Sequence, residues 1–477
     1  MNYSLSNIIT FFLFVAGLLV IVLVNYNHNF ISFSSKLNIS LLYTLCSSVI
    51  MFYIFKIKAF EYIPILPLIC FYFIICYLSA AFFGLRFFTN HPIVDVSDLK
   101  FALQILALGI SFLIIGYFIF KLIFKKFERK EFEILNFSAI EIFYFGLGLN
   151  LITIIFFYII QVQNFFSFTA QVKYVFLFLS FGTFTNYLFH TKILFEKKKL
   201  IIIFFKLSII FMEILKGSYA LPFILIFLDY VYYSYLKKKF NLIPIIIFFI
   251  TFVFMHEGKY QFRNLTWKVS NLDRNYNILE SSKIFLKLYK YNLKNNFNIQ
   301  NFFDIENQTY RRVNHSFESL VIVTSKSPNE IDHWNGHSYK ILASKLIPRI
   351  FWKEKPSDIL GNEFAHRYKI INENDFHTSW NMPVLNEFYV NFGTKGVVIG
   401  MFLIGFFFGF LAKFFSLKDS RNVEGIISFY FFVPLFFLES HLSLLFGAII
   451  QSYILSFITS IFFIIFFRRL KLNLYLK

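Results

Sequence analysis

The stretch that interrupts the apolar pattern of this chain reads Ile347-Pro348-Arg349-Ile350-Phe351-Trp352-Lys353-Glu354-Lys355-Pro356. It lies within a polar loop at residues 257–390, and that loop holds all 4 tryptophans of the chain. Apolar segments flank the loop on both sides, and a helix needs about 20 apolar residues to cross the hydrocarbon core of a bilayer. This alternation predicts an all-α, polytopic membrane protein whose polar chemistry is concentrated in one loop.

The composition supports the membrane class. Hydrophobic residues make up 57% of the 477 residues, and the mean hydropathy is +0.63. The formal net charge of +19 is explained by basic residues at helix ends, so it does not indicate nucleic-acid binding. All three cysteines (Cys46, Cys70 and Cys76) lie in apolar segments and suggest neither a disulfide framework nor a zinc site.

Segments of membrane-spanning length number about twelve. Nine precede the loop, in residues 1–256, and three follow it, in residues 391–477. Polar residues mark the boundaries between spans only weakly at the tight turn Lys216-Gly217-Ser218 and at the junction near Glu439. The predicted spans are 6–25, 38–55, 62–84, 101–120, 138–160, 171–190, 200–216, 218–236, 240–256, 394–415, 425–440 and 445–467.

Basic clusters give the orientation of these segments. They follow the second, fourth, sixth, eighth, tenth and twelfth spans, for example at Lys197–Lys199 and Lys237–Lys239, so all of them fall on one side. The positive-inside rule makes that side cytoplasmic, with both termini inside. The loop at 257–390 is then external, and it is too long to be a passive connector.

Cations in the loop are candidates for binding an anionic lipid head group. We single out Arg263, Arg311, Arg349 and Lys355, because a guanidinium matches phosphate oxygens with a fixed fork of donors and a lysine offers a point charge. Arg349 stands out because it follows Pro348 and precedes an aromatic pair. The alternative is that these cations pair with acids of the same loop, which is nearly balanced in charge.

Sugar contacts and proton transfer suggest further candidates. Trp334, Trp380 and His337 lie in polar surroundings and can contact sugar rings. Five side chains qualify by type as a general base: His337, His366, His377, Glu363 and Glu387. Glu387 is favoured, since it lies where the chain re-enters the membrane, and His377 is the alternative because its neutral form accepts protons near pH 7. Helix capping or an ion pair with Lys395 is the structural alternative for Glu387.

Other signals are either absent or ambiguous. The sequence has no Gly-rich phosphate loop, no Cys/His metal spacing and no Gly-x-Ser-x-Gly motif, so no metal or cofactor is predicted. Residues Ser281–Asn292 predict an amphipathic helix at the membrane interface. Lys206 and Glu213, seven residues apart, share one face of the seventh span; they either face a cavity or pair with neighbouring helices.

Three segments in order resemble the bacterial oligosaccharide repeat-unit polymerases, the Wzy-type O-antigen polymerases. They are Gly336-His337-Ser338-Tyr339, then Leu346 to Pro356, then Asn386-Glu387-Phe388-Tyr389-Val390-Asn391-Phe392-Gly393 with Gly396 opening a helix. The motif-bearing match covers roughly 336–410, and elsewhere only the layout is similar. Lys353 departs from the pattern, which has a proline or small residue there.

The resemblance implies a fold related to the GT-C glycosyltransferases. It also implies a metal-independent enzyme of the bacterial inner membrane that transfers a growing glycan from undecaprenyl pyrophosphate to a sugar hydroxyl of an incoming lipid-linked repeat unit. The partners it implies are these lipid-linked oligosaccharides, the bilayer, a chain-length regulator and a flippase, without nucleic acid. Alternatives are an O-antigen or teichoic-type ligase, a polysaccharide flippase or transporter, and a structural or sensory membrane protein. Polar residues outside the spans and unlike halves argue against a transporter.

Overall fold

The computed structural model of the chain is helical throughout the parts that it describes, and no strand occurs in them. The described residues are 33–55, 65–78, 96–125, 138–161, 169–190, 196–217, 219–237, 241, 243–257, 259–267, 278–295, 308–347, 352, 354, 359–376, 378–414 and 438–475.

The α-helices are numbered here in chain order. They are α1 (Phe33–Phe55), α2 (Ile65–Phe73), α3 (Val96–Ile123), α4 (Ala139–Ile152), α5 (Thr169–His190), α6 (Glu196–Leu215), α7 (Ala220–Lys237), α8 (Ile243–Glu257), α9 (Lys259–Trp267), α10 (Ile278–Asn295), α11 (Gln308–Lys326), α12 (Leu360–Arg367), α13 (Val384–Phe414) and α14 (Leu442–Tyr475). Short π-helical turns extend α2 through Leu78 and α4 through Ile159.

Four helical stretches in the described chain are long and apolar enough to cross a membrane: Asp98–Ile123, Ile140–Ile159, Val384–Lys413 and Leu442–Phe463. The all-α class is therefore confirmed, the four apolar stretches support a membrane protein, and the count of about twelve spans stays a prediction. The predicted span 6–25 and most of 425–440 lie outside the described residues, and each of the other predicted spans coincides in position with a helix.

The chain divides into two compact units. The first consists of Met1–Glu131, Val313–Lys418 and Phe431–Gln451, and the second of Phe132–Arg312, Asp419–Tyr430 and Ser452–Lys477. The predicted external loop is thus shared between the units, with its division at Arg312 and Val313. Each unit is described by itself below.

Close packing of α3 against α13 forms the centre of the first unit. A Cβ atom added at Gly116 would lie 2.1 Å from the Phe402 carbonyl oxygen, and one added at Gly405 would lie 2.0 Å from the Leu113 carbonyl oxygen. Only glycine permits such an approach of two backbones, and small residues at helix contacts are typical of membrane bundles. The contact fixes α13 against α3 over the membrane-spanning part.

A break divides α13 at Phe392 and Gly393. Phe392 has φ −139° and ψ 17°, and Gly393 has φ 61° and ψ −148°, so neither residue is helical. The sequence predicts a helix from 394, and this start coincides with the segment after the break. The helical residues from Val384 to Asn391 lie before it and carry the motif that contains Glu387.

In the second unit, α10 packs its apolar face on a core formed by Tyr219, Phe223, Phe262 and Tyr289. Its Ile284, Phe285 and Leu288 adjoin that core. The hydroxyl of Tyr289 donates to the Met255 carbonyl oxygen at 2.6 Å. The predicted amphipathic helix is therefore present, with its apolar face directed at the protein, while its placement at the membrane interface stays a prediction.

Lys206 and Glu213, on α6, pair with neighbouring helices. Lys206 Nζ lies 2.7 Å from Asp229 Oδ2 on α7, and it also donates to Thr185 on α5. Glu213 forms a buried ion pair with Lys173 on α5 and accepts a hydrogen bond from the Tyr158 hydroxyl. Of the two alternatives left open by the sequence, pairing between helices is the one that the structure contains, and it compensates charges that would otherwise be costly inside a bilayer.

The predicted orientation can be tested by cysteine labelling of the intact protein. Asn329 is exposed in the turn after α11, and Ser420 lies in a predicted cytoplasmic loop. With Cys46, Cys70 and Cys76 replaced by serine, a membrane-impermeant maleimide should label Asn329→Cys in whole cells and Ser420→Cys only after permeabilisation. Labelling of both positions from the same side contradicts the topology.

Candidate functional site

The break in α13 is closed by a segment of the loop. Because the helix is interrupted at Phe392 and Gly393, the carbonyl oxygens of Val390 and Asn391 receive no N–H from the following turn and need other partners. The Trp334 N–H donates to the Val390 carbonyl oxygen at 2.9 Å, and the Asn335 N–H donates to the Asn391 carbonyl oxygen at 3.0 Å. The loop segment Trp334–Tyr339 therefore docks on the helix where its hydrogen bonding is interrupted.

Asn391 ties the two segments together through its side chain. Its Oδ1 accepts the Gly336 N–H at 3.0 Å, and its Nδ2 donates to Ser338 Oγ and to the Glu387 carbonyl oxygen, both at 2.8 Å. Asn391 is fully buried. Burial makes each of these hydrogen bonds expensive to lose, so the amide holds Gly336 and Ser338 in fixed positions beside α13.

Glu387 is fully buried at the centre of this network. The Ser338 hydroxyl donates a hydrogen bond to Oε1 at 2.5 Å, and the Leu442 N–H donates one to Oε2 at 2.5 Å. Leu442 is the first residue of α14, where free N–H groups and the helix dipole favour a negative charge. The helix-capping role considered for Glu387 is thus present, while its role as a base stays a prediction.

Tyr339 lies next to the Glu387 network. Burial, and secondarily the charge of Glu387, raise the pKa of Tyr339. Its hydroxyl is buried and has no hydrogen-bond partner among the described residues. Tyr339 is therefore a neutral phenol enclosed beside the carboxylate of Glu387.

The outer side of the docked segment carries a charged and aromatic cluster. His337 Nε2 lies 2.8 Å from Glu363 Oε1, and 40% and 38% of these side chains are exposed. The Arg367 guanidinium lies over the Trp334 ring at 5.9 Å, and its Nη2 donates to the Asp332 carbonyl oxygen at 2.7 Å. We call Trp334, His337, Glu363 and Arg367 the outer cluster. It brings an imidazole, a carboxylate and a guanidinium together around the buried Trp334 ring.

Helix α12 supplies half of that cluster. Glu363 and Arg367 are four residues apart, so they lie on one face of the helix. Phe364 and Ala365 are buried and anchor the helix on the other side. Glu363 qualifies by residue type as a base and Arg367 is one of the loop cations of interest, but the sequence singles out neither, because an i, i+4 charge pair in a polar loop does not distinguish a site from a solvated surface.

Trp380 has structural partners in the first unit. Its indole N–H donates to Ser319 Oγ at 3.0 Å, and its ring stacks on His315 with centroids 4.6 Å apart. Both partners lie on α11. Trp380 is half-buried, so it anchors the loop to α11, and its predicted contact with a sugar stays a prediction.

The remaining predicted residues are distributed as follows. Arg349, Lys355 and His377 lie outside the described residues, and Arg311 lies on α11 with its side chain outside the description. Arg263, in the second unit, donates its Nε–H to the Gly217 carbonyl oxygen at 2.9 Å, and burial lowers its pKa. The structure therefore brings together Trp334, His337 and Glu387 from the predicted set. The role of the four cations in binding phosphate stays a prediction.

Within the part of the chain that the structure describes, no group of three or more His, Cys, Asp or Glu side chains is arranged to hold a metal ion. Comparison with models of known protein families gives no match, and no curated protein or solved structure resembles the chain significantly.

The backbone of Gly393 gives a prediction for stability. At φ 61° and ψ −148° a side chain is strained, and an added Cβ would lie 2.9 Å from His333 Nε2. We expect Gly393→Ala to lower the free energy of unfolding by about 1–3 kcal/mol or more, the cost of a strained backbone position. A fall in the thermal unfolding temperature of the purified protein measures this.

The control for that experiment is Gly148→Ala. Gly148 lies inside α4, and an added Cβ there meets nothing within 4 Å. Alanine is favoured over glycine in a helix interior by roughly 0.5–1 kcal/mol, so this variant should be neutral or more stable. Equal unfolding temperatures for Gly393→Ala and the wild type would show that the break in α13 does not depend on glycine.

Proposed function

We propose that this protein polymerises lipid-linked oligosaccharide repeat units on the outer face of a bacterial plasma membrane. The observation that supports this most is the joining of two of the resemblance-bearing segments. Gly336–Tyr339 and Asn386–Gly393 are far apart in the sequence and form one hydrogen-bonded unit in the structure. A site built from the residues that carry the resemblance is what the proposed reaction needs.

The proposed reaction joins an acceptor sugar to a donor glycan on undecaprenyl pyrophosphate. The acceptor hydroxyl oxygen forms a bond to the anomeric carbon of the donor. The bond between that carbon and the pyrophosphate oxygen breaks, and its electron pair leaves with the pyrophosphate. The hydroxyl proton passes to a base. Membrane helices beside a polar external loop suit a substrate with a lipid tail and a sugar head.

Charge stabilisation at the leaving group is assigned to Arg349 and Lys355, with Arg263 and Arg311 as supporting cations. Negative charge develops on the pyrophosphate as the bond breaks, and preorganised cations stabilise it without further reorganisation. The outer cluster supports the sugar side of the proposal, because the imidazole of His337 is 40% exposed and lies beside the Trp334 ring, with the ring centroids 5.5 Å apart. A chain-length regulator and a flippase are proposed partners.

Surface-glycan analysis of a deletion strain tests the proposal. We expect lipid-linked single repeat units to reach the cell surface as single-repeat caps, because export and attachment continue without polymerisation. Gel electrophoresis of the extracted glycan measures the chain length. Complete chains stranded on the lipid carrier would indicate a ligase instead, and loss of external lipid-linked units would indicate a flippase.

A second prediction concerns Arg349. Arg349→Ala should reduce polymerisation by about 10²–10³-fold, the typical cost of removing one contact to developing charge. Arg349→Lys should restore activity only in part, since the forked geometry is lost. Lys340→Ala is the matched control, because Lys340 is an exposed cation of the same loop. Full-length glycan from Arg349→Ala at normal membrane levels removes Arg349 from the site.

A further inference from the structure

We propose that His337, oriented by Glu363, is the group that accepts the proton of the acceptor hydroxyl. The inference rests on the proposed function and deepens it. It assigns the proton-accepting role to the outer cluster and gives the buried carboxylate of Glu387 the role of an anchor. His337 is the proposed catalytic residue, and Glu363 is the proposed positioning residue.

The surroundings of Glu387 favour anchoring over proton transfer. A general base must come within hydrogen-bond reach of the proton that it removes, about 2.6–3.2 Å between heavy atoms. Glu387 is 0% exposed, and each of its carboxylate oxygens already accepts a hydrogen bond, from Ser338 and from Leu442. An acceptor sugar would have to displace Ser338 or the first turn of α14 to reach it. The same contacts are what a structural cap requires.

His337 has the exposure that Glu387 lacks. About two fifths of its side chain is open, at 40%. Glu363 Oε1 lies 2.8 Å from Nε2, which favours the tautomer with the hydrogen on Nε2 and leaves the lone pair on Nδ1 as the acceptor. A carboxylate that orients an imidazole in this way is the arrangement that makes histidine an effective base. The pair therefore has the geometry of a base and its positioning group.

The backbone on both sides of His337 is held in place. Gly336 donates to Asn391, and Ser338 bridges Asn391 and Glu387. The His337 N–H itself donates to the Trp334 carbonyl oxygen at 3.0 Å. Such anchoring limits the movement of the imidazole, and a fixed position is worth much of the rate in reactions that depend on orientation. Glu387 thus contributes to the site through Ser338.

Arg367 completes the outer cluster on the same helix as Glu363. Its Nη2 is bonded to the Asp332 carbonyl oxygen, and its Nε is buried without an acceptor in the described chain. The positive charge lies over the Trp334 ring, which also adjoins the ring of His337. A guanidinium there can donate to a sugar oxygen or a carboxylate of the acceptor. The acceptor glycan would then lie against Arg367 with its reacting hydroxyl towards His337.

Every proton in the proposed step has a donor and an acceptor. The acceptor O–H proton moves to Nδ1 of His337 as the new carbon–oxygen bond forms and the bond to pyrophosphate breaks. The resulting imidazolium is stabilised by the Glu363 carboxylate, since an opposite charge within reach favours the charged form. The imidazolium then gives the proton to solvent through its exposed side, which restores the neutral base.

The test uses the purified full-length protein in lipid nanodiscs with lipid-linked repeat units as substrate. His337→Gln, which keeps a donor for Glu363, and His337→Gly should each lower kcat by about 10²–10⁴-fold, the usual contribution of general base catalysis. KM should change much less. Added imidazole should restore a measurable part of the rate of His337→Gly but not of His337→Gln, because only glycine leaves room for it.

Glu363 is tested in the same assay. Glu363→Gln should lower kcat by less than the His337 substitutions and leave KM close to that of the wild type, while Glu363→Asp should recover part of the loss. His366→Ala is the matched control, because His366 lies on the same helix and bonds the Asp375 carbonyl oxygen through Nε2. Its turnover should stay near that of the wild type.

The outcomes separate the two levels of the proposal. No polymer from the wild-type protein and unchanged glycan in the deletion strain would overturn the proposed function and this assignment with it. Polymer from the wild type together with near-normal kcat in both His337 variants would overturn the assignment alone. Thermal unfolding temperatures equal to that of the wild type exclude misfolding, and loss of activity without imidazole rescue in folded His337→Gly counts against a base at this position.

Discussion

Backbone hydrogen bonds released at Phe392 and Gly393 are the constraint on which the described site depends. A helix that breaks in a buried setting exposes carbonyl groups that no water satisfies, and each such group costs free energy if left alone. Here the loop supplies the missing donors from Trp334 and Asn335, and Asn391 adds side-chain bonds to Gly336 and Ser338. The break therefore selects the loop conformation, and the loop in turn fixes the position of His337.

The positions of most described helices could be predicted from the length of the apolar runs. The hydrogen-bonded contacts that form the site could not. Runs such as 101–120 and 138–160 coincide with α3 and the Ile140–Ile159 span, because length and hydropathy are local properties. The predicted helix start at 394 coincides with the segment after the break in α13, but the sequence assigns the helical residues from Val384 to Asn391 before the break to the loop, because Asn386, Glu387 and Asn391 interrupt the apolar pattern there. The nearness of Ser338 to Glu387 depends on hydrogen bonds between distant segments, which no local pattern encodes.

For some ionisable side chains the sequence predicts the position but not the partners. The spacing of Lys206 and Glu213 correctly places both on one face of α6, yet their partners come from α5 and α7 and could not be read from α6 alone. Similarly, Glu387 could be singled out by its position before Asn391, but its burial and its contact with the start of α14 follow from tertiary packing. Residue type and spacing identify candidates, and packing decides which of them are accessible.

Burial separates anchoring groups from reacting groups in the first unit. Glu387 and Asn391 are fully enclosed, so their value lies in rigidity, since buried polar networks that are satisfied specify one arrangement. His337 and Glu363 extend from that network with open side chains. A rigid inner layer that carries an accessible outer layer is what precise positioning requires, because a loose support would cost orientation at the reacting atom. The buried carboxylate of Glu387 and the accessible imidazole of His337 are thus two consequences of one break in α13.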